Sequence, residues 1–134
     1  GIKIPMGGGD GWDSSKLYEI AQGALDGSFF SNHHTHESPD PRAQEFVTKY
    51  KAAYGSIPDA LAALGYDAAL VAIDAISKAT ELTGPAVRDA IEKTKDFPGV
   101  AGVINLDADH KAVKSAVVIG IEKNAPKYVA TVNP

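Results

Sequence analysis

The stretch "ALAALGYDAALVAIDAISKA", residues 60–79, decides how the rest of the chain has to be read. Only Asp67, Asp74, Ser77 and Lys78 interrupt its small and aliphatic residues, and Asp59 stands ahead of it as a helix cap. A surface helix carries one apolar stripe, whereas a helix that is apolar around most of its circumference needs cover on more than one side. The helix predicted over 59–78 therefore belongs in a layered structure, and the rest of the chain has to supply the layers.

Upstream, "IKIPMG" (2–7) predicts a short buried strand stopped by the glycines. Asp13 or Ser14 then caps a helix with Leu17, Ile20, Ala21 and Ala24 at helical spacing. "GSFFSNHH" (27–34) predicts a second strand, followed by the polar turn "THESPD". Asp40 is an N-cap with Pro41 at the first helical position. From there Ala43, Phe46, Val47, Tyr50, Ala53 and Tyr54 make one stripe that Gly55 ends. Downstream, Thr83 and Pro85 open a short helix with Val87, Ala90 and Ile91 inward. Strands follow at "GVINL" (102–106), "AVVIGIE" (116–122) and "KYVATV" (127–132), with turns over 107–110 and 123–126. The expected class is α/β with three-layer α/β/α character. Three helices in succession leave few strands to cover the 59–78 helix, so the order suits a piece of a larger architecture.

Composition narrows the function. Thirteen Lys and Arg against 17 Asp and Glu, with no basic cluster, argue against nucleic acid as a partner. The absence of cysteine excludes disulfides, Cys-ligated zinc and thiol catalysis. No apolar run is read as reaching the roughly 20 residues of a membrane span, and no secretory leader pattern is visible in "GIKIPM". There is no nucleophile-elbow serine and no H-E-x-x-H, so catalysis is not expected and no cofactor is called for.

The stretch "PMGGGDGWDSSKL" (5–17) is the chemical candidate. G-x-G-x-x-G fails because its last glycine falls on Trp12, and no Gly-Lys-Ser/Thr completes a P-loop. A purely structural turn is one reading. The other uses the carboxylate: glycines let a small ligand press against the main chain, and Asp10 accepts charge-assisted hydrogen bonds from an ammonium group, with Trp12 as an apolar or cation–π wall. In "HHTHE" (33–37), His34 and His36 alternate along the predicted strand and are weak metal candidates. The competing reading is a polar connection.

The segments "GGGDGWDSSKL", "DPRAQEFVTKYKAAYG", "PDALAALGYDAALVAIDAI", "KDFPGVAGVINLD" and "KSAVVIGIE" resemble, in order, the C-terminal part of the leucine/isoleucine/valine-binding proteins. Those are the extracytoplasmic receptors of branched-chain amino acid ABC importers. The resemblance implies part of a type I periplasmic-binding-protein fold, contributing to two lobes that close on the ligand. It implies a ligand-binding lobe 2 segment over 1–34, a lobe 1 helical segment over 35–106 and return strands of lobe 2 over 107–134. Crossings would lie near 33–38 and 106–112. It implies that Asp10 binds the ligand's α-ammonium, that Gly9, Gly11 and Trp12 border the pocket, and that Asp59 and Ala60 approach from the other lobe. The family's first-lobe carboxylate-binding groups have no counterpart here. The implied partners are a small amino acid and a membrane permease, and the implied location is periplasmic or extracellular. A sensor ectodomain of the same fold, or a proteolytic or engineered fragment that does not bind, are the alternatives. Uncovered helix faces predict a homo-oligomer, with segments exchanged between copies.

Overall fold

The computed structural model describes residues 3–134, so Gly1 and Ile2, where the first predicted strand begins, lie outside the described residues. Two sheets organise the chain. The larger has the order β1-β2-β6-β7, formed by β1 (Gly7–Gly8), β2 (Phe29–Asn32), β6 (Ala116–Glu122) and β7 (Ala125–Val132). β1 runs parallel to β2, while the β2–β6 and β6–β7 pairs are antiparallel. The smaller sheet joins β3 (Phe97–Gly99), β4 (Gly102–Leu106) and β5 (Ala112–Val113) as antiparallel neighbours. The helices are α1 (Ser15–Ala21), α2 (Pro41–Tyr54), α3 (Ala60–Lys78) and α4 (Gly84–Glu92).

Each sheet accompanies its own apolar core. Leu25, Phe30, Val117, Ile119 and Ile121 form the first, with Trp12, Leu17 and Tyr18 packed against it. Phe46, Ala63 and Ala101 form the second, with Val47, Tyr50 and Leu64 around them. The chain passes from one region to the other beyond Asn32, and returns between β5 and β6.

Local signals place the helix ends. Asp40 accepts the Arg42 N–H at 2.8 Å with Pro41 in the first turn, and Gly55 closes α2 at φ 72°. Asp59 accepts the Ala62 N–H at 2.8 Å, and Thr83 caps α4. α1 is capped by Ser14, and its end comes earlier than its apolar spacing suggests. Gln22 at φ 46° and Gly23 at φ 86° leave the helix, so Ala24 lies beyond it.

Several expectations need correction. The glycines do not stop the first strand; Gly7 and Gly8 are that strand, pairing with Phe29 and Phe30. They fit because the aromatic rings crowd them: a Cβ on Gly8 would lie 2.3 Å from the Trp12 indole. β2 ends at Asn32 rather than running on to residue 34. Pro126 stands in β7, not in the turn, which consists of Lys123 (φ 51°) and Asn124 (φ 59°). Lacking an N–H, proline is tolerated there because β7 is an edge strand. Finally, α3 has a mean hydropathy of 1.5 over its most apolar window, so by length and composition it is long and apolar enough to cross a membrane. Counting uninterrupted apolar runs missed this. Asp67 ties α3 into the α/β structure instead: it is 1% exposed and accepts the Val100 and Ala101 N–H groups at 2.7 and 2.9 Å.

Candidate functional site

Asp10 opens a single 3-10 turn, Asp10–Trp12, directly after β1. The Trp12 N–H bonds the Gly9 carbonyl and the Asp13 N–H bonds the Asp10 carbonyl, both at 3.0 Å. This turn throws the Trp12 ring inward, where it tilts against Phe30 with centroids 6.3 Å apart. It leaves the Asp10 side chain 62% exposed. The Trp12 side chain is thus committed to the first core and is not among the described residues lining the cleft in front of Asp10.

That cleft, of about 210 Å³, is lined by Asp10, Gly11, Asp13, His33, Asp59, Ala60 and Leu61. It lies where the β1 end of the larger sheet meets the N-terminus of α3. The structure thereby brings together four of the residues singled out in the sequence: Asp10, Gly11, Asp59 and Ala60. Gly9 does not line the cleft. A Cβ on Gly9 or Gly11 would meet nothing within 4 Å, so open space adjoins both.

Three carboxylates surround the cleft, and two are occupied. Asp13 accepts the Ala60 N–H at 2.9 Å and Asp59 accepts the Ala62 N–H at 2.8 Å. Both offset the positive end of the α3 dipole. Asp13 can do this because Ser14, not Asp13, caps α1. Asp10 accepts no hydrogen bond from the described residues; its Oδ2 faces His33 Nε2 at an ion-pair distance of 3.3 Å. A cleft with a surplus of negative charge and one uncommitted carboxylate suits a cationic group.

Sequence reasoning passed over Asp13, His33 and Leu61 in the lining. Asp13 meets Ala60 across 47 positions, a pairing that carries no local signal. His33 belongs to the histidine-rich connection, where nothing in its spacing points to Asp10.

The other two histidines of that connection lie past the end of β2, so strand alternation does not bring them to one face. His34 is 4% exposed, set edge-on to Phe46 with ring centroids 5.8 Å apart, and its Nε2 has no hydrogen-bond partner among the described residues. Burial pulls its pKa below the ordinary histidine value, opposed by a backbone bond at Val100 and by the Asp13 and Asp67 charges. His36 is exposed. No group of three or more His, Cys, Asp or Glu side chains able to hold a metal occurs among the described residues.

Lys114 joins three segments. Its ammonium donates to the carbonyls of His33 at 3.3 Å, Ala101 at 2.9 Å and Ser115 at 3.1 Å. Desolvation lowers its pKa, and the Asp67 carboxylate works against that.

Comparison with known proteins places this geometry. A family model described as periplasmic binding protein matches residues 1–126. Among solved structures, the leucine-binding protein LivK of Thermotoga maritima superposes with a TM-score of 0.88 at 37% identity, covering 99% of this chain and 38% of its own. The branched-chain amino acid transporter substrate-binding protein LivJ of Streptococcus pneumoniae, solved with isoleucine, gives 0.85 at 30% identity, covering 100% of this chain and 38% of its own. An ABC transporter substrate-binding protein of Desulfitobacterium hafniense, solved with leucine, gives 0.82 at 27% identity, covering 96% of this chain and 36% of its own. A search of curated protein sequences returns no match. The chain spans about 38% of the length of the first two of these structures, so its α/β arrangement is a part of their fold. With a family model spanning nearly its whole length and a superposition that leaves almost no residue out, the chain belongs to the periplasmic binding protein family.

Proposed function

We propose that this chain is part of an extracytoplasmic receptor that captures a branched-chain amino acid for an ABC importer, and that Asp10 binds the ligand's α-ammonium group. The observation carrying this reading is that Asp10 is the one carboxylate of the cleft not engaged by the α3 N-terminus. Gly11 keeps the approach open, and Asp59 and Ala60 form the facing wall. Trp12 contributes from behind, by fixing the turn that presents Asp10. The two cores are parts of two lobes, with 1–34 and 114–134 in one and 35–113 in the other, which moves the second boundary from 106/107 to 113/114. β5 still pairs with β4, so the return crossing falls at Lys114 and Ser115. Ligand bound across the cleft favours the closed arrangement through contacts with both lobes.

These residues supply the ammonium half of the site. The groups that hold the ligand carboxylate belong to the share of the fold outside the chain. The chain alone should therefore recognise the amine and ignore the acid. In ¹H–¹⁵N NMR titrations, L-leucine and 3-methylbutylamine are expected to shift the amides of residues 10–13, 33 and 59–61 with weak and similar affinity. 4-Methylpentanoate should leave them unmoved, and Asp10→Asn should abolish the shifts. Shifts caused equally by the acid, or retained in Asp10→Asn, would remove Asp10 from the site.

The open face of α3 supports a second reading, in which this chain by itself associates with a second copy. Leu61 is 75% exposed and Ile73 62% exposed, more apolar surface on one helix than a lone folded unit ordinarily leaves in water.

A further inference from the structure

We infer that Lys114 is a positioning residue for the Asp10 cleft, fixing how the N-terminus of α3 stands across from the Asp10 turn. This rests on the two-lobe reading above and adds a residue that does not itself line the cleft. Lys114 lies on the return crossing, between β5 and β6. An ammonium has three donors, and here each goes to a carbonyl on a different stretch of chain. His33, at 3.3 Å, is just past β2 on the outward crossing; Ala101, at 2.9 Å, is in the turn between β3 and β4; Ser115, at 3.1 Å, is on the return crossing itself. A compact ammonium suits the task, because it has no plane to match and can aim one proton at each oxygen. The backbones it joins are close together: Gly102 takes φ 113°, and a Cβ there would lie 2.6 Å from Ser115 Oγ.

From Lys114 the contacts run to the cleft by two routes. On one, Ala101 gives its carbonyl to Lys114 and its N–H to Asp67 of α3. That helix begins at Ala60, whose N–H is held by Asp13. On the other, His33 follows β2, β2 pairs with β1, and β1 leads into the Asp10–Trp12 turn and Asp13. The routes meet at the Asp13–Ala60 bond of 2.9 Å, which completes a ring of contacts around the cleft.

Lys114 and the Asp13–Ala60 bond hold that ring at two separate points. A crossing with free backbone permits rotation of one lobe against the other. Lys114 takes that freedom from both crossings at once, so the start of α3 reaches Asp13 already aligned. Without the ammonium, the bond across the cleft should weaken before any bond within a lobe. The helix end carries its own control: Asp59 and the Ala62 N–H it holds lie in the same lobe.

The test is solvent exchange of the Ala60 and Ala62 amides in the whole chain without ligand, followed by NMR magnetisation transfer from water. Lys114→Met keeps an apolar arm and removes the three donors. It should speed exchange at Ala60 about tenfold, the scale of one hydrogen bond to a charged group, and leave Ala62 unchanged. In an Asp13→Ala background the Ala60 rate should already be high, and Lys114→Met should add nothing, as expected of a residue acting through that bond. An unchanged Ala60 rate in Lys114→Met, equal acceleration of both amides, or a further increase on top of Asp13→Ala overturns the positioning role. If Lys114→Met lacks a dispersed amide spectrum, Lys114→Gln, with two donors on a shorter arm, is expected to give the same selective effect. Loss of the fold in both variants would make Lys114 a requirement for folding and overturn the role as well. No ligand enters these measurements, so they separate a failure of Lys114 from a failure of the amino acid reading, which the leucine titration decides.

Discussion

Asp67 looks at first like a defect in an apolar helix. Its two oxygens each take one backbone N–H from the 100–101 segment. Gly99 is a glycine because an added Cβ would stand 2.6 Å from Asp67 Oδ2. The Lys114 ammonium supplies the nearby positive charge. An acceptor on both arms is needed. Asp67→Asn would point an amide NH₂ at a backbone N–H, and Asp67→Ala would leave two donors without partners. Either change is expected to lower stability by about 2–4 kcal/mol, read from the urea midpoint. An Asp67→Asn variant as stable as the parent would refute the two-acceptor arrangement. Roles of this kind are not legible from one position. The carboxylate's partners lie 33 and 34 residues away, and the sequence shows only a polar interruption. Asp10 stands out in the sequence for the opposite reason, as an acid among glycines, and the structure places it on a cleft with Asp59 and Ala60. Gly8 was misjudged because its neighbour Trp12, not a ligand, fills the space above it.

At the scale of elements, what could be read was what chemistry confines to a few neighbouring residues. Asp40, Asp59 and Thr83 as caps, Gly55 as a terminator and the Asp107 turn all satisfy backbone groups within four positions. The strands near β1 and β2 were readable but their bounds were not, because their extent depends on pairing with strands far along the chain. The α3 N-terminus shows both kinds of information in one place. Asp59 is a local cap, and Asp13 is a remote one supplied by the turn beside Asp10. Replacing Asp59 with Ala should cost about 1 kcal/mol, as for an ordinary cap. Asp13→Ala should cost a similar amount despite its distance in sequence, measured by thermal or urea unfolding. A neutral Asp13→Ala would mean that the turn and α3 are not tied together in solution, and the shared cleft would lose its support.

For the molecule as a whole, the question raised by the 59–78 helix stands in a sharper form. One side of α3, carrying Ala60, Ala63, Asp67 and Ala75, is buried. Its other side presents Leu61, Tyr66, Ile73 and Ile76 to solvent, each more than 40% exposed. α2 adds Tyr54 at 71%. Apolar burial at about 25 cal/mol per Å² is the main favourable term in folding, so covering this face would add stability. A second copy brings an equally uncovered face, and a twofold pairing would bury both at once. Light scattering after size exclusion should therefore give a mass of at least two 14.0 kDa chains at micromolar concentration. Ile73→Glu, which places a charge in the middle of the face, should shift it to one. A monomer that unfolds cooperatively and binds no dye specific for exposed apolar surface would sink this reading, because it would show that α3 is adequately covered by the fold of a single chain.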